Sequence, residues 1–151
     1  MDKFKNDPKE IKFGMLVGNI GRLHATLADQ YMERIGLYRG QAMLLLLLSL
    51  EDGQTHSEIA EKLEVSPPAA TKVIKRMEAL NYVRRQSDSG DERVSRVFLQ
   101  QEGKAVIRQI KNALDQIDQV LLDSLAPKEQ EQLIQLLLKI HQSLIKAITG
   151  G

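Results

Sequence analysis

The side chains able to do chemistry are few and of one kind. None of the 151 residues is a cysteine, which removes disulfides, thiolate metal sites, thiol redox sensing and cysteine nucleophiles. The three histidines, His24, His56 and His141, are widely separated, and none pairs at i, i+4 spacing within a carboxylate cluster, so no metal site is expected. No nucleophile elbow, glycine-rich phosphate loop or suitably spaced carboxylate pair occurs. An enzyme and a bound cofactor therefore both lack a basis. What remains is cationic. Residues 72–96 hold seven basic groups (Lys72, Lys75, Arg76, Arg84, Arg85, Arg93, Arg96) against four acidic ones (Glu78, Asp88, Asp91, Glu92), an excess of three positive charges. The whole chain carries +1, so the other 126 residues sum to −2. Clustered guanidinium and ammonium groups suit phosphate, and with three Tyr, three Phe and no Trp there is little to stack single-stranded bases on. Recognition of a duplex backbone is the chemistry on offer.

Such groups need rigid elements to present them. Thr55-His56-Ser57-Glu58 places a Thr three residues before a Glu and just ahead of Ile59, Ala60 and Leu63, a capping box that opens a short helix ending near Leu63. Ser66 followed by Pro67 and Pro68 reads as the N-cap of a second helix with prolines in its first turn. That helix runs to about Leu80 with an apolar face of Ala70, Val73, Ile74, Met77 and Leu80, and ends at Asn81, which tolerates the left-handed conformation. The β-prone stretches 82–86 and 94–99, separated by the polar run 87–93, form a hairpin.

Helices flank this block. Apolar residues Ile11, Met15, Ile20, Leu23, Leu27 and Ile35 predict a helix over about 8–35. Residues 39–50, with the run Met43 to Leu48, are apolar on all sides and read as a central helix surrounded by protein. Val106, Ile110, Ala113, Ile117, Val120 and Leu121 mark a long helix to about Asp123, and Pro127 opens a last one striped by Leu133, Leu136, Leu137, Ile140, Leu144 and Ile148. These two stripes exceed what one small winged domain can cover, which predicts a homodimer. The longest apolar run is six residues against about 20 needed to cross a bilayer, and the stretch from Met1 to Lys12 is polar. No membrane span or signal peptide is expected, and the location expected is the cytoplasm.

Two helices joined by a three-residue turn and followed by a hairpin form a winged helix-turn-helix, whose second helix fits a major groove about 12 Å wide. The fold class expected is mainly α with a small β-hairpin wing (α+β). If the apolar face of residues 70–80 meets the core, then Ala69, Thr71, Lys72, Lys75 and Arg76, with Ser66 and Pro68, project outward toward bases and phosphates.

The chain here resembles the MarR (multiple antibiotic resistance regulator) family. The resemblance rests on Thr55 to Leu63, on Val65-Ser66-Pro67-Pro68, on Thr71 to Glu78 and on Tyr82-Val83-Arg84-Arg85. It continues through Asp91-Glu92-Arg93 and Val97 to Leu99 into Glu102-Gly103-Lys104. It implies a homodimeric transcriptional repressor of double-stranded DNA reading a pseudo-palindromic operator. Residues 36–99 would be the DNA-binding domain, and 1–35 with 100–151 the helical dimerisation region. By position, Ser66, Pro68, Ala69, Thr71, Lys72, Lys75 and Arg76 are implied DNA contacts, Arg93 the minor-groove arginine of the wing and Asp91 the residue orienting it. Some relatives bind small anionic or aromatic effectors. Arg22 and His24 could line such a site, although surface exposure is their expected fate.

Four positions depart from the family pattern: Tyr38 stands for a Thr opening the second helix, Asn81 for a Gly, Glu92 for a basic residue and Gln100 for a Thr. Residues 87–93 sum to −2, with Asp88, Asp91 and Glu92 against Arg93. This acidic tip keeps open an alternative, a winged-helix interaction or assembly module that does not read DNA sequence.

Overall fold

The computed structural model describes residues 12–150. The chain forms α1 (Phe13–Arg34), α2 (Arg39–Leu50), β1 (Gln54–Thr55), α3 (His56–Lys62), α4 (Pro67–Ala79), β2 (Val83–Ser87), β3 (Ser95–Leu99), α5 (Gln101–Leu122) and α6 (Pro127–Thr149). It divides into two compact units, one running to Asp115 and one beginning at Gln116. The expected helix start near residue 8 falls outside the described residues.

The first unit holds the core. Met32 of α1, Leu44, Leu45 and Leu48 of α2, Ile59 of α3, Ile74 and Met77 of α4, Val83 and Val97 of the strands and Ile110 of α5 form one buried cluster. Local chemistry sets the ends of its elements. Thr55 Oγ1 accepts from the Glu58 N–H at 3.2 Å while Glu58 Oε2 accepts from the Thr55 N–H at 2.7 Å, the expected capping box. Ser66 Oγ accepts from the Ala69 N–H at 3.3 Å, with prolines in the first turn of α4. α4 ends in a Schellman motif: Asn81 is left-handed at φ 58°, and the Tyr82 and Asn81 N–H groups donate to the carbonyls of Met77 and Glu78, each at 3.0 Å. α3 ends the same way through Glu64 at φ 54°, with Val65 and Glu64 donating to Ala60 and Glu61.

The sheet is antiparallel in the order β1-β3-β2, with Val83 opposite Leu99 and Ser87 opposite Ser95. Its third strand, β1, was not expected; two polar residues pairing Gln54 with Val97 leave no periodic signal. Gly103, in the first turn of α5, faces the Tyr82 carbonyl so closely that a Cβ there would overlap its oxygen.

Two expectations are corrected. α2 is not enclosed on all sides: Leu44, Leu45 and Leu48 are buried, but Met43 is exposed and Leu50 is 86% exposed, because the core lies against one face only. Leu80 lies outside the buried face of α4, at 45% exposure, where the helix has ended and the backbone turns away. Val120 and Leu121 of α5 are exposed, in keeping with a stripe longer than one winged domain covers. In the second unit, α6 buries no residue along its length, and Leu136, Leu137, Leu144 and Ile148 stand in solvent. Among the described residues no helix is long and apolar enough to cross a membrane.

Candidate nucleic-acid interface

α4 turns Ala70, Ile74 and Met77 into the core, which fixes the direction of every other side chain on it. Ser66, Pro68, Ala69, Lys72, Lys75 and Arg76 are exposed, and Thr71 is half-buried. Pro67, Pro68, Thr71, Lys72 and Lys75 line a groove along this surface. The helix residues expected to face outward thus share one side of α4, with two refinements. The Ser66 hydroxyl oxygen is engaged in the cap. Thr71 Oγ1 lies 3.5 Å from Nδ1 of His56, so this hydroxyl is shared with the first turn of α3.

The cations of residues 72–96 divide into two groups. Arg85 is bound by Glu78, its Nε donating to Oε2 at 2.8 Å and its Nη2 lying 2.7 Å from the same oxygen. Arg93 makes a two-pronged pair with Asp91, Nε to Oδ1 and Nη2 to Oδ2, both at 3.1 Å, and its own N–H donates to Oδ1 at 3.0 Å. Arg96 is held by Asp88 and donates from Nη1 to the Gly53 carbonyl at 2.9 Å. In each pair the guanidinium holds the carboxyl below the usual carboxylate range. Lys72, Lys75 and Arg76 have no carboxylate partner among the described residues. Arg84 lies over the Phe98 ring at 5.0 Å and Arg76 over the Tyr38 ring at 4.9 Å. Three acids are thereby matched to three arginines, and the excess of three charges resolves into Lys72, Lys75, Arg76 and Arg84 against Glu92.

Asp91 and Arg93 meet at the tip of the β2–β3 hairpin as expected, and the Arg93 side chain is 90% exposed. Asp88 shapes the same turn by accepting from the Gly90 N–H at 3.0 Å. Arg22 and His24 are exposed on α1. Two residues of this surface were noted from sequence without being assigned to the site. Tyr38, read only as a departure from the family pattern, lies beneath Arg76. His56 is half-buried, its Nε2 has no hydrogen-bond partner among the described residues, and burial first, then the charge of Arg85, pushes its pKa below the ordinary value.

Residues 37–95 match the sequence profile of the MarR family. The HTH-type transcriptional repressor MdtR of Bacillus subtilis (strain 168) is 30% identical over 112 residues, spanning 74% of this chain and 72% of MdtR. The solved S. aureus MepR–DNA complex is 25% identical and superposes with a TM-score of 0.75 over 89% of this chain and 99% of its own. A mutant MarR from E. coli shares the fold at 24% identity, with a TM-score of 0.80 over 89% of this chain and 98% of that one. A capped α3, an outward-facing cationic α4 and a three-stranded wing complete the agreement, and the chain belongs to the MarR family of winged-helix transcriptional regulators.

Proposed function

We propose that the chain is a sequence-specific repressor that binds double-stranded DNA in the cytoplasm as a homodimer on a pseudo-palindromic operator, and that a small anionic or aromatic effector releases it. The observation that carries this reading is the distribution of charge. Lys72, Lys75 and Arg76 share the outward side of the helix that fits a major groove, without carboxylates to neutralise them. In this reading Ser66, Pro68, Ala69 and Thr71 meet base edges and backbone near the helix start, while Arg93, oriented by Asp91, enters the adjacent minor groove. MdtR being a repressor and MepR having been solved with DNA support it by relationship. Residues 36–99 read DNA, and 1–35 with 100–151 join two copies. The unburied apolar residues of α6 support that pairing, since apolar stripes of this kind mark association surfaces. A cavity of about 550 Å³ between α2, α3 and α4 supports effector release: Met43, Leu63 and Val73 line it, Arg39 and Lys62 stand at its wall, and Ala69 and Ala70 of the reading helix complete it.

Selection of bound duplexes from a random library tests the proposal. A two-fold symmetric consensus is expected; failure to enrich any sequence would overturn it. One observation favours a second reading as an interaction module, namely the acidic tip of Asp88, Asp91 and Glu92. That reading requires no salt-dependent binding to duplex DNA even at low ionic strength.

A further inference from the structure

α2 opens with a side chain that its own fold does not use. A Thr at the start of a helix accepts a hydrogen bond from the first-turn backbone, but Tyr38, in that place, makes no side-chain cap bond. The reciprocal half of the cap is intact, since the Tyr38 N–H donates to Oε1 of the buried Gln41 at 2.9 Å. The residue is 66% exposed, so burial does not account for it either. It lies under the guanidinium of Arg76, 4.9 Å from ring centroid to guanidinium carbon. Arg76 stands one helical turn beyond Lys72, on the same stripe of α4.

We propose that Tyr38 is a positioning residue for DNA recognition: its ring seats the Arg76 guanidinium so that the pair grips one backbone phosphate beside the track of α4. This rests on the reading of α4 as the DNA-binding helix. The argument is one of faces and edges. A guanidinium is planar, with all its N–H donors at the edge. A carboxylate partner occupies that edge, as Glu78 does for Arg85 and Asp91 for Arg93. An aromatic ring engages the face and leaves the edge free for the forked bond to phosphate oxygens. The ring also holds the side chain before DNA arrives, so less freedom is lost on binding.

The test is anisotropy titration of a labelled random-sequence duplex at several salt concentrations, with the wild-type chain, Lys72→Ala, Tyr38→Phe, Tyr38→Leu, Arg76→Ala and the Tyr38→Leu/Arg76→Ala double variant, each checked for an unchanged melting temperature. Tyr38→Phe keeps the ring and is expected to bind as wild type. Tyr38→Leu, which keeps bulk but not the ring face, should bind roughly two- to five-fold more weakly. Arg76→Ala should also lower the salt slope by about one, and adding Tyr38→Leu to it should change nothing further. Three results would overturn the inference alone: Tyr38→Leu binding as wild type, Tyr38→Leu weakening the Arg76→Ala chain again, or Tyr38→Phe losing as much as Tyr38→Leu. If the wild-type chain and Lys72→Ala alike show no salt-dependent binding, the DNA reading fails and this inference falls with it.

Discussion

α4 and the wing carry similar numbers of cations and use them in opposite ways. On α4, Lys72, Lys75 and Arg76 are free of carboxylates, whereas in the hairpin three of four arginines are committed, Arg85 to Glu78, Arg93 to Asp91 and Arg96 to Asp88. The cause lies in what holds each element. α4 is fixed by its own backbone bonds, two capped ends and three buried side chains, so its cations carry no structural duty. The strands β2 and β3 bury only Val83 and Val97 among their ten residues, and a hairpin with so little core needs side-chain pairs to keep its shape. Attraction to phosphate should therefore come mainly from the helix, with the wing contributing a pre-shaped tip.

The largest expected effect removes the platform beneath both elements. Gly103→Ala would ordinarily favour a helix by about 1 kcal/mol, but here the new methyl group overlaps the Tyr82 carbonyl oxygen at the foot of β2. That same oxygen accepts the Gln100 N–H at 2.9 Å, so it cannot move without cost. Overpacking against backbone should reverse the sign and destabilise by about 2–3 kcal/mol in urea denaturation. A stabilised variant would show that α5 and β2 do not approach so closely.

The next effect tests the comparison itself. Lys72→Ala should weaken duplex binding roughly tenfold near 0.1 M salt and lower the salt slope by about one, because one fewer counterion is released. Arg93→Ala should cost less, since Arg93 is already neutralised by Asp91. Equal losses would mean that the Asp91–Arg93 pair opens onto the duplex. Glu92→Arg sharpens the point. Screening confines charge effects at the tip to about 8–10 Å, so a steeper slope in this variant requires a docked wing, and an unchanged one leaves recognition to α4.

Much of this division was legible in the sequence where signals are local. The capping box at Thr55 and Glu58, the Ser66-Pro67-Pro68 start of α4 and the left-handed Asn81 depend on neighbours a few residues away. The outward set on α4 followed from periodicity. The exposure of Met43, Leu50 and Leu80 did not, because it depends on which face of an apolar helix a distant element covers. The partners of Arg85 and Arg96 were equally hidden, unlike that of Arg93: Arg96 meets Asp88 only because strand register sets Ser87 opposite Ser95. From spacing alone, Arg84, Arg85 and Arg96 are indistinguishable, yet one lies over an aromatic ring and two are ion-paired.

His56 offers a smaller effect at the junction of the two elements, where it meets Thr71 of α4 and feels the charges of Arg85 and Glu78. Its pKa is depressed from 6.5 in the folded chain, chiefly by burial, so the unfolded chain takes up the proton first as pH falls. Its contribution to stability is complete above that ordinary value and is lost as pH drops through the lower folded one. The depressed carboxylates Glu51, Glu58, Glu78, Asp88 and Asp91 act in a separate window, below their ordinary values of 4.5 for Glu and 3.8 for Asp. Melting temperature should therefore decline as pH falls below about 6.5, and His56→Gln should flatten that decline. An equal slope in both chains would place the acid sensitivity elsewhere.

The smallest effect concerns the two turns that bracket α4. Glu64 before it and Asn81 after it both adopt the left-handed backbone, at φ 54° and 58°. Asn tolerates that region through its short polar side chain, whereas an ordinary side chain there sets Cβ against a carbonyl at a cost of about 1–2 kcal/mol. Glu64 makes no hydrogen bond or ion pair through its carboxylate among the described residues, so removing it sacrifices no such contact. Glycine relieves the clash but adds freedom to the unfolded chain, which takes back about 0.5–1 kcal/mol. Glu64→Gly should accordingly stabilise by up to about 1 kcal/mol, and Asn81→Gly by less, in paired denaturation curves. Because both turns keep their Schellman bonds, DNA affinity should be unchanged in either variant. A loss of affinity with Glu64→Gly would show that the rigidity of the α3–α4 turn, and not only the charge on α4, sets how the helix is presented.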